Sequence, residues 1–479
     1  PYGDAFSSGA IKIYDKTTNK ANRFTRYLHF ADAKPGKWIT LLLPFSQIDL
    51  DNNPLVPWEN FGRIQIYFDS VNHTDVANRP GCHENEVGST YVLKIKNIKI
   101  VDITNDMQLS TLFSDGMMFQ QNRPIKVWGN AVDGNTVVVS LLKENGAEGQ
   151  LISKQSCPVE NGEWQVEFEP LPGSMEDVYR LIIQDTKDGE VVTLKEIRDI
   201  LIGEVWVAAG QSNMRAPVRD DIFQKDILEE ADNNKIRFFM QFEYARGEQP
   251  LQPSKIIPSS YWGYGDDPSQ VSDVSSVGYN FIKNLSKKLD VPVGILYTPV
   301  GGTVIEAWIS RTAIDKPENK DYKDYLDDRG KYCDDFNWPD NHNRMSALYN
   351  QKIGPFKGYY TAGTIWYQGE SNMVEAPIYA RALEILHKDW SETFGFTEFG
   401  ETMPFIYTQL APFYYNNTTN YSTPTTIMAY MAEAMSDYWQ KAKDNGKTAQ
   451  VTTYDLPLTH IRVGGHSGGA IHPSDKQPV

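Results

Sequence analysis

The chain has 479 residues, of which 40% are hydrophobic and 23% are charged, and this balance is ordinary for a soluble globular protein of two to four domains. Its formal net charge is −16 and it has no basic block, which argues against nucleic acid and against an anionic membrane surface as partners. No apolar run is long enough to cross a bilayer, so we expect no membrane insertion. The three cysteines lie far apart and lack the spacing of metal ligands.

Residues 1–104 have the pattern of an all-β region. Strand-like segments alternate with stretches rich in Pro, Asn, Asp and Gly. The predicted strands are Lys37–Pro44, Gly62–Phe68 and Tyr91–Val101. The region resembles the jelly-roll modules that accompany polysaccharide enzymes. Its role stays open between glycan binding and a purely structural β-sandwich.

Residues 105–199 form a second β region, in which short strands follow one another closely and suit an immunoglobulin-like sandwich. Two dipeptides, Asp133-Gly134 and Asn161-Gly162, predict tight hairpin turns. The predicted strands are Pro124–Gly129, Thr136–Leu142, Glu163–Phe168 and Tyr179–Ile183.

From about residue 200 strands and helices alternate, which predicts a parallel sheet covered by helices on both faces. The polar segment Asp315–Asn343 has no clear period and is predicted to be a long loop of the kind that borders active sites. The predicted strands are Val205–Ala209, Val291–Tyr297, Gly363–Tyr367 and Pro404–Thr408, and the predicted helices are Val277–Leu289 and Tyr379–Phe394.

The strand Val205–Ala209 runs directly into Gly210-Gln-Ser-Asn213. A strand that ends in a glycine turn presents a hydroxyl at the edge of a sheet, where open α/β folds bind their ligands. Ser212 is therefore a candidate nucleophile, provided that a base reaches it. A helix N-cap is the alternative role, since Ser and Asn are favoured capping residues.

Two later segments supply candidate oxyanion donors. Adjacent Gly301 and Gly302 leave a backbone N–H unshielded, although a plain strand-to-helix turn has the same sequence. After the next strand, Asn372 offers an amide N–H, and Glu370 offers a carboxylate that holds a neighbouring loop or amide. The alternative for Ser371 and Asn372 is again a helix cap.

A glycine-rich segment near the end of the chain carries the candidate general base, His472, because imidazole titrates near neutral pH. His460 and His466 are competing candidates nearby. Pro473 keeps the preceding residue out of helical conformation.

Four segments in this order resemble the motifs of the SGNH hydrolase superfamily and, within it, of the sialate O-acetylesterase and related carbohydrate acetylesterase family. The likeness covers roughly residues 108–479 and includes the β segment Leu112–Gly129. The four segments are Gly203–Met214, Gly301–Trp308, Trp366–Asn372 and Ile471–Gln477.

The resemblance implies a flavodoxin-like, three-layer α/β/α catalytic domain over residues 200–479, preceded by two β-sandwich regions at 1–104 and 105–199. It also implies a secreted, periplasmic or cell-surface protein that needs no metal or organic cofactor. Carried over residue by residue, it makes Ser212 the nucleophile and its own N–H an oxyanion donor. Gly302 and Asn372 become the other donors, and His472 becomes the base.

The resemblance further implies that Gln211 and Glu370 are supporting residues near the pocket. The acid that orients the base is the main departure, because relatives carry an Asp two or three residues before the His. Those positions hold Ala470 and Gly469 here. A main-chain carbonyl or Asp455 is left to hold the imidazole, so we expect a Ser–His dyad with Asp455 as a helper.

The implied reaction is removal of acetyl groups from an acetylated oligo- or polysaccharide. The extra β module favours plant cell-wall polysaccharide, of the xylan or xyloglucan type, because a linked module adds avidity for a polymer. O-acetylated sialic acid, to which the family name points, is the alternative substrate. A non-catalytic glycan-binding protein is a further alternative, favoured by Gly469 and Ala470.

Overall fold

A computed structural model describes residues 107–144, 149–241, 257, 260–328, 341–411, 425–453, 472–473, 476 and 479, together with the backbone of three strands nearer the N-terminus. The strands are β1 (Ser8–Asp15), β2 (Ala21–Phe24), β3 (Phe61–Asp69), β4 (Gln108–Leu109), β5 (Met118–Gln120), β6 (Ile125–Asn130), β7 (Thr136–Lys143), β8 (Gln150–Pro158), β9 (Glu163–Phe168), β10 (Tyr179–Lys187), β11 (Glu190–Gly210), β12 (Ile236–Gln241), β13 (Ser260–Tyr264), β14 (Val293–Tyr297), β15 (Gly363–Tyr367), β16 (Phe405–Thr408) and β17 (Thr448–Val451). The α-helices are α1 (Ser212–Arg215), α2 (Gln224–Glu229), α3 (Pro268–Val271), α4 (Ser276–Leu289), α5 (Arg311–Ile314), α6 (Lys320–Asp328), α7 (Ala376–Thr393) and α8 (Thr425–Ala442).

The chain divides into two compact units, residues 1–101 and residues 102–479. In the first unit β1 pairs antiparallel with β2 on one side and with β3 on the other. β3 confirms the predicted strand Gly62–Phe68. The predicted strands Lys37–Pro44 and Tyr91–Val101 lie outside the described residues, so the sandwich and its role stay predictions.

The second unit begins with antiparallel strands in two sheets. One sheet has the order β4-β6-β9, and the other runs β8-β7-β10-β11. β9 alternates strictly: Trp164, Val166 and Phe168 are buried, whereas the residues between them are exposed. This alternation of buried and exposed residues is the pattern that predicts a strand from the sequence.

Of the two predicted hairpin turns, the one at Asn161-Gly162 is confirmed. Both residues have positive φ, 56° and 73°, and Glu160 and Glu163 form an antiparallel bridge across them. The longer strands on either side, β8 and β9, belong to different sheets, and so do β6 and β7 around Asp133-Gly134. The turn at Asp133-Gly134 therefore leads from one sheet to the other, and its prediction as a hairpin is wrong.

The remaining strands confirm the prediction of a mixed α/β architecture with a parallel sheet. Its order is β13-β12-β14-β11-β15-β16-β17, and all neighbours except β13 and β12 pair in parallel. β11 is shared, because its first half pairs antiparallel with β10 and its second half lies between β14 and β15. The strand continues through residue 200, with a register shift between Ile197 and Ile200 where Asp199 has a φ of 55°.

The order of the parallel strands places a switch point beside β11. The chain leaves β11 for β12, returns to β14 on the same side, and then crosses to β15 on the other side. Ligands of open α/β sheets bind where the direction of winding reverses, at the carboxyl ends of the strands. The carboxyl ends of β11, β14 and β15 are therefore the expected position of a site.

The helices of this part follow the predicted pattern with one exception. α4 begins after Ser275, whose hydroxyl accepts a hydrogen bond from the N–H of Gly278. α7 confirms the predicted helix near Tyr379–Phe394 and packs against α8. None of the helices in the described part of the chain combines the length and apolar composition needed to cross a bilayer.

The exception is the segment Asp315–Asn343, because its prediction as a loop is wrong for the first half. α6 occupies Lys320–Asp328, and Tyr322 and Leu326, one turn apart, are its buried residues. An ion pair between Lys320 and Asp324 joins successive turns on the exposed side. Two buried positions in a charged segment are too few to reveal a helical period.

Candidate active site

Gly210 ends β11 in a conformation that only glycine accommodates there. Its φ is 134°, and a Cβ at this position would lie 2.1 Å from the carbonyl oxygen of Tyr367. The next residue, Gln211, donates its backbone N–H to that same carbonyl at 2.9 Å. This hydrogen bond extends the pairing with β15 by one residue, and α1 begins directly afterwards with Ser212.

The structure brings Ser212 and His472 together although they are 260 positions apart: Nε2 of the imidazole lies 2.8 Å from Oγ of the serine. Ser212 is half-buried and His472 keeps an exposed edge. Partial burial of the ring, together with the positive charge of Lys476, lowers the pKa of His472 below its usual value. The hydroxyl therefore faces an imidazole that is neutral at neutral pH, and the role of Ser212 as a side-chain N-cap is wrong.

The opposite ring nitrogen, Nδ1, makes no hydrogen bond to a described residue. Asp455, the predicted helper, lies outside the described residues, and so do Gly469 and Ala470.

The Gly301-Gly302 turn lies beside the nucleophile. A Cβ on Gly301 would stand 3.6 Å from Cβ of Ser212, so the two backbones are in close contact. Gly302 is exposed with a φ of 71°. Asn343 holds the turn from behind, because its Nδ2 donates to the carbonyl of Gly302 at 3.0 Å and its Oδ1 accepts from the N–H of Val304 at 2.9 Å.

Two backbone N–H groups at this point are available to a ligand. The amides of Ser212 and Gly302 donate to no described residue. Ser212 is the first residue of α1, and the first amides of a helix have no partner within it. Unpaired amides beside a hydroxyl are the arrangement that an oxyanion hole requires.

Asn372 is fully buried and joins the site through Gln368. Its Oδ1 accepts hydrogen bonds from Nε2 of Gln368 at 2.7 Å and from the N–H of Ile305 at 2.9 Å. Its Nδ2 donates to Oε2 of Glu306 at 2.8 Å, which uses one of two hydrogens. The alternative in which Asn372 caps a helix start is wrong, because these contacts leave the residue buried between two loops.

Gln368 is the centre of this polar network. Its Nε2 also donates to the carbonyl of Thr303 at 2.8 Å and approaches Oε1 of Gln211 at 3.3 Å. Its own Oε1 accepts from the hydroxyl of Tyr379 at 2.7 Å. The side chain thus connects the loops that follow β11, β14 and β15.

A second buried network contains Glu370 and Asn213. Oε1 of Glu370 accepts from Nδ2 of Asn213 at 2.5 Å, and Oδ1 of Asn213 accepts from Nζ of Lys476 at 2.6 Å. Burial raises the pKa of the Glu370 carboxyl, while Asn213 and the charge of Lys476 oppose that rise. Because Asn213 follows Ser212 directly, this network holds the backbone next to the nucleophile.

Sequence reasoning found the residues that face the ligand space and overlooked several that hold them. Ser212, His472 and Gly302 lie at one edge of the sheet, and Gln211 and Glu370 contact the loops around them. Gln368 and Glu306 stood within the motifs but were given no role. Lys476 likewise stood within the last motif, whereas Asn343 lies outside all four.

The described residues contain no group of three or more His, Cys, Asp or Glu side chains placed to hold a metal ion. The chemistry that the site offers is a hydroxyl in hydrogen-bond contact with a neutral imidazole, beside two amides that donate to no described residue, at the carboxyl ends of parallel strands. This combination is suited to acyl transfer.

Comparison with known proteins agrees with this chemistry. Residues 202–462 match the family described as "Carbohydrate esterase, sialic acid-specific acetylesterase". Sialate O-acetylesterase from Mus musculus is 27% identical over 406 residues, which cover 77% of this chain and 70% of that protein. The enzyme of the same name from Homo sapiens is 27% identical over 385 residues, which cover 74% of this chain and 65% of that protein.

A carbohydrate acetylesterase from Xanthomonas citri shares the fold, with a TM-score of 0.59 and 24% identity over 78% of this chain and 72% of that chain. The family match spans more than half of the sequence and includes Ser212, Gly302 and Asn372. The chain therefore belongs to the carbohydrate esterase family of sialic acid-specific acetylesterases and is a carboxylic ester hydrolase.

Proposed function

We propose that this chain removes O-acetyl groups from sialic acids through a covalent acetyl-enzyme on Ser212. The observation that carries the proposal is the 2.8 Å contact between Ser212 Oγ and His472 Nε2. A hydroxyl is a weak nucleophile at neutral pH and becomes an effective one when an adjacent base accepts its proton.

The proposed cycle has two halves. His472 takes the Ser212 proton while Oγ attacks the acetyl carbonyl, and then returns the proton to the sugar oxygen as the ester bond breaks. Water, deprotonated by the same imidazole, attacks the acetyl-enzyme and releases acetate, and the imidazole returns its proton to Oγ of Ser212. The amides of Ser212 and Gly302 stabilise the oxyanion, together with the second Nδ2 hydrogen of Asn372, and each such donor lowers the barrier by about 3 kcal/mol.

The proposed supporting residues act through these groups. Gln211 orients the loop that follows β15 through its Oε1, which accepts a hydrogen bond from the N–H of Ser371 at 3.3 Å. Glu370 holds Asn213 and thereby α1. Asp455 retains its proposed role as a partner of the imidazole.

The choice of sialic acid over plant polysaccharide departs from the expectation drawn from the sequence. Two observations favour it. The relatives at 27% identity are named sialate O-acetylesterases. In addition, Arg215 is exposed and lies one helical turn from Ser212. One terminal nitrogen of its guanidinium lies 3.8 Å from the position that a Cβ on Gly301 would occupy, so the positive charge is close to the glycine turn.

A positive charge beside the nucleophile fits a substrate that carries a carboxylate. Sialic acid has one, whereas the xylan backbone is neutral. Guanidinium and carboxylate form strong charge-assisted pairs. Because the net charge is −16, the positive charge of Arg215 is a local feature rather than a property of the whole surface.

The nucleophile is tested by Ser212→Ala. We expect the variant to lose acetate release from O-acetylated sialic acid, because no other described hydroxyl contacts His472. Ser269→Ala, an exposed serine at the start of α3, is the matched control and should keep wild-type turnover. Near wild-type turnover by Ser212→Ala would refute the proposal.

The substrate is tested by measuring acetate release from O-acetylated sialic acid and from acetylated xylan with the same enzyme. Arg215→Ala should lower the ratio of the two rates about tenfold, the effect of losing about 1.4 kcal/mol of carboxylate binding. Arg198→Ala, an exposed arginine on β11, is the control for overall charge. Faster release from xylan by the wild type would restore the polysaccharide as the substrate.

A further inference from the structure

We propose that Lys476 is a positioning residue that holds His472 within reach of Ser212. The inference rests on the proposed function, since it concerns the base of the same reaction. Lys476 lies four residues after His472, in the same short segment, and its side chain is only 3% exposed. It does not face the ligand space, so its influence on the reaction passes through the contacts that it makes.

The side chain of Lys476 fixes one point of the segment to the nucleophile helix. Nζ donates to Oδ1 of Asn213 at 2.6 Å, and Asn213 is the neighbour of Ser212. The ammonium also lies 5.8 Å from the centre of the Tyr367 ring, on the last residue of β15. The base-bearing segment and the nucleophile are thus tied to each other by one buried side chain.

The backbone of Lys476 fixes a second point. Its N–H donates to Oδ2 of Asp221 at 3.2 Å, and the same oxygen accepts from the hydroxyl of Ser276 at 2.5 Å. Asp221 and Ser276 are buried at 2% and 0% exposure. Two attachments through different atoms of one residue define both the position and the direction of the chain at this residue.

Burial makes these attachments selective for one geometry. An ammonium removed from water is strongly unfavourable unless its partners are in place. Asn213 supplies an acceptor, and the neighbouring Glu370 supplies negative charge that acts across Asn213. A segment that moved away from α1 would lose this compensation, so the charge opposes displacement of the base.

The consequence for the reaction follows from the contact that the segment carries. Ser212 Oγ and His472 Nε2 are 2.8 Å apart, and rates of intramolecular proton transfer and attack depend steeply on such distances. No described residue holds Nδ1 of His472. The contacts of Lys476 therefore position the base, although they are made four residues away from it along the chain.

The test is Lys476→Met, which removes the ammonium and keeps an unbranched side chain of similar length. We expect kcat to fall about 100-fold, because a displacement of about 1 Å at a reacting group has an effect of this order. KM should stay within about twofold of the wild type, because Lys476 is only 3% exposed and its ammonium contacts Asn213. Lys352→Met is the matched control: Lys352 is fully buried and donates to the carbonyl of Gln241 at 2.6 Å. Its loss should affect stability but leave kcat of the folded enzyme unchanged.

A double-mutant cycle keeps the inference falsifiable if Lys476→Met folds poorly. Asn213→Ala removes the same link from the other side, and the two changes together should lower kcat hardly more than either alone. Additive losses in kcat would overturn the proposal, as would a Lys476→Met enzyme with kcat within about twofold of the wild type. An equal loss of kcat in Lys352→Met would also overturn it.

Labelling of Ser212 by a fluorophosphonate separates this inference from the choice of substrate. The reagent reacts with a base-activated serine and does not require sugar binding. If the wild type is labelled but releases no acetate from sialic acid, the substrate proposal fails while the positioning role is still tested. Slow labelling of Lys476→Met then supports the role, and labelling at the wild-type rate overturns it.

Discussion

At the scale of single residues, the environment of His472 sets the pH range in which the proposed base works. Partial burial of the ring disfavours its charged form, and the nearby ammonium of Lys476 adds repulsion, so both lower the pKa of His472. A base acts in its neutral form. Lowering the pKa therefore keeps the base competent at a more acidic pH than a free imidazole would allow.

We expect the acidic limb of a plot of kcat/KM against pH to have its midpoint below 6.5, the usual pKa of histidine. The sign follows from protonation: activity is complete above the lowered pKa and is lost as the pH falls through it. The profile is measured with a chromogenic acetate ester across the mildly acidic range. A midpoint above 6.5 would contradict this account of the His472 environment.

The residues that face the ligand space were predictable because each stands in a short motif with the required chemistry. Ser212, Gly302 and His472 could be selected by residue type and by their position after a strand or in a glycine-rich segment. Asn343 could not, because its two hydrogen bonds to the glycine turn depend on how a separate loop crosses the sheet edge. Lys476 was visible as part of a motif, but its burial was not.

At the scale of elements, the turn after β11 depends on the absence of a side chain at one position. A Cβ on Gly210 would overlap the carbonyl oxygen of Tyr367, at 2.1 Å, and neither backbone can yield without breaking the pairing of β11 and β15. The turn that presents Ser212 is thus a property of two adjacent strands.

Gly210→Ala should lower the free energy of unfolding by more than about 3 kcal/mol, because the new methyl group meets backbone rather than a mobile side chain. Gly134→Ala is the matched comparison, since Gly134 has a φ of 84° but open space around its missing Cβ. It should cost roughly 1 kcal/mol from backbone strain alone. Denaturant unfolding of both variants measures the difference, and equal losses would show that steric overlap is unimportant.

The elements that sequence patterns identified are those with a clean period or a continuous apolar run. β9, β15 and α7 lie within a few residues of their predicted bounds. α6 was not predicted because only two of its residues are buried, and the hairpin at Asp133-Gly134 was wrong because turn chemistry does not reveal which sheet the next strand joins. Strand partners are a tertiary property, which local propensity does not encode.

At the scale of the whole molecule, the division at residue 101 predicts that the catalytic unit folds by itself. Membership of an esterase family also decides between an enzyme and a non-catalytic glycan-binding protein, a choice that the motifs alone had left open. The contribution of residues 1–101 is then a separate question from the chemistry.

A chain comprising residues 102–479 should hydrolyse a chromogenic acetate ester with the kcat of the full chain, because all described groups of the site lie in that unit. Its thermal unfolding should be cooperative. Comparison of the two chains on the same ester is the measurement. A large loss of kcat in the shorter chain, with its fold retained, would mean that the first unit takes part in the reaction.

The strand β11 is 21 residues long and serves the antiparallel region at one end and the nucleophile turn at the other. The two regions meet near Asp199, which has a φ of 55° at a register shift between Ile197 and Ile200. The small β region and the reacting serine are therefore joined by one strand that contains a bulge, and a movement of one region relative to the other would be accommodated at that bulge.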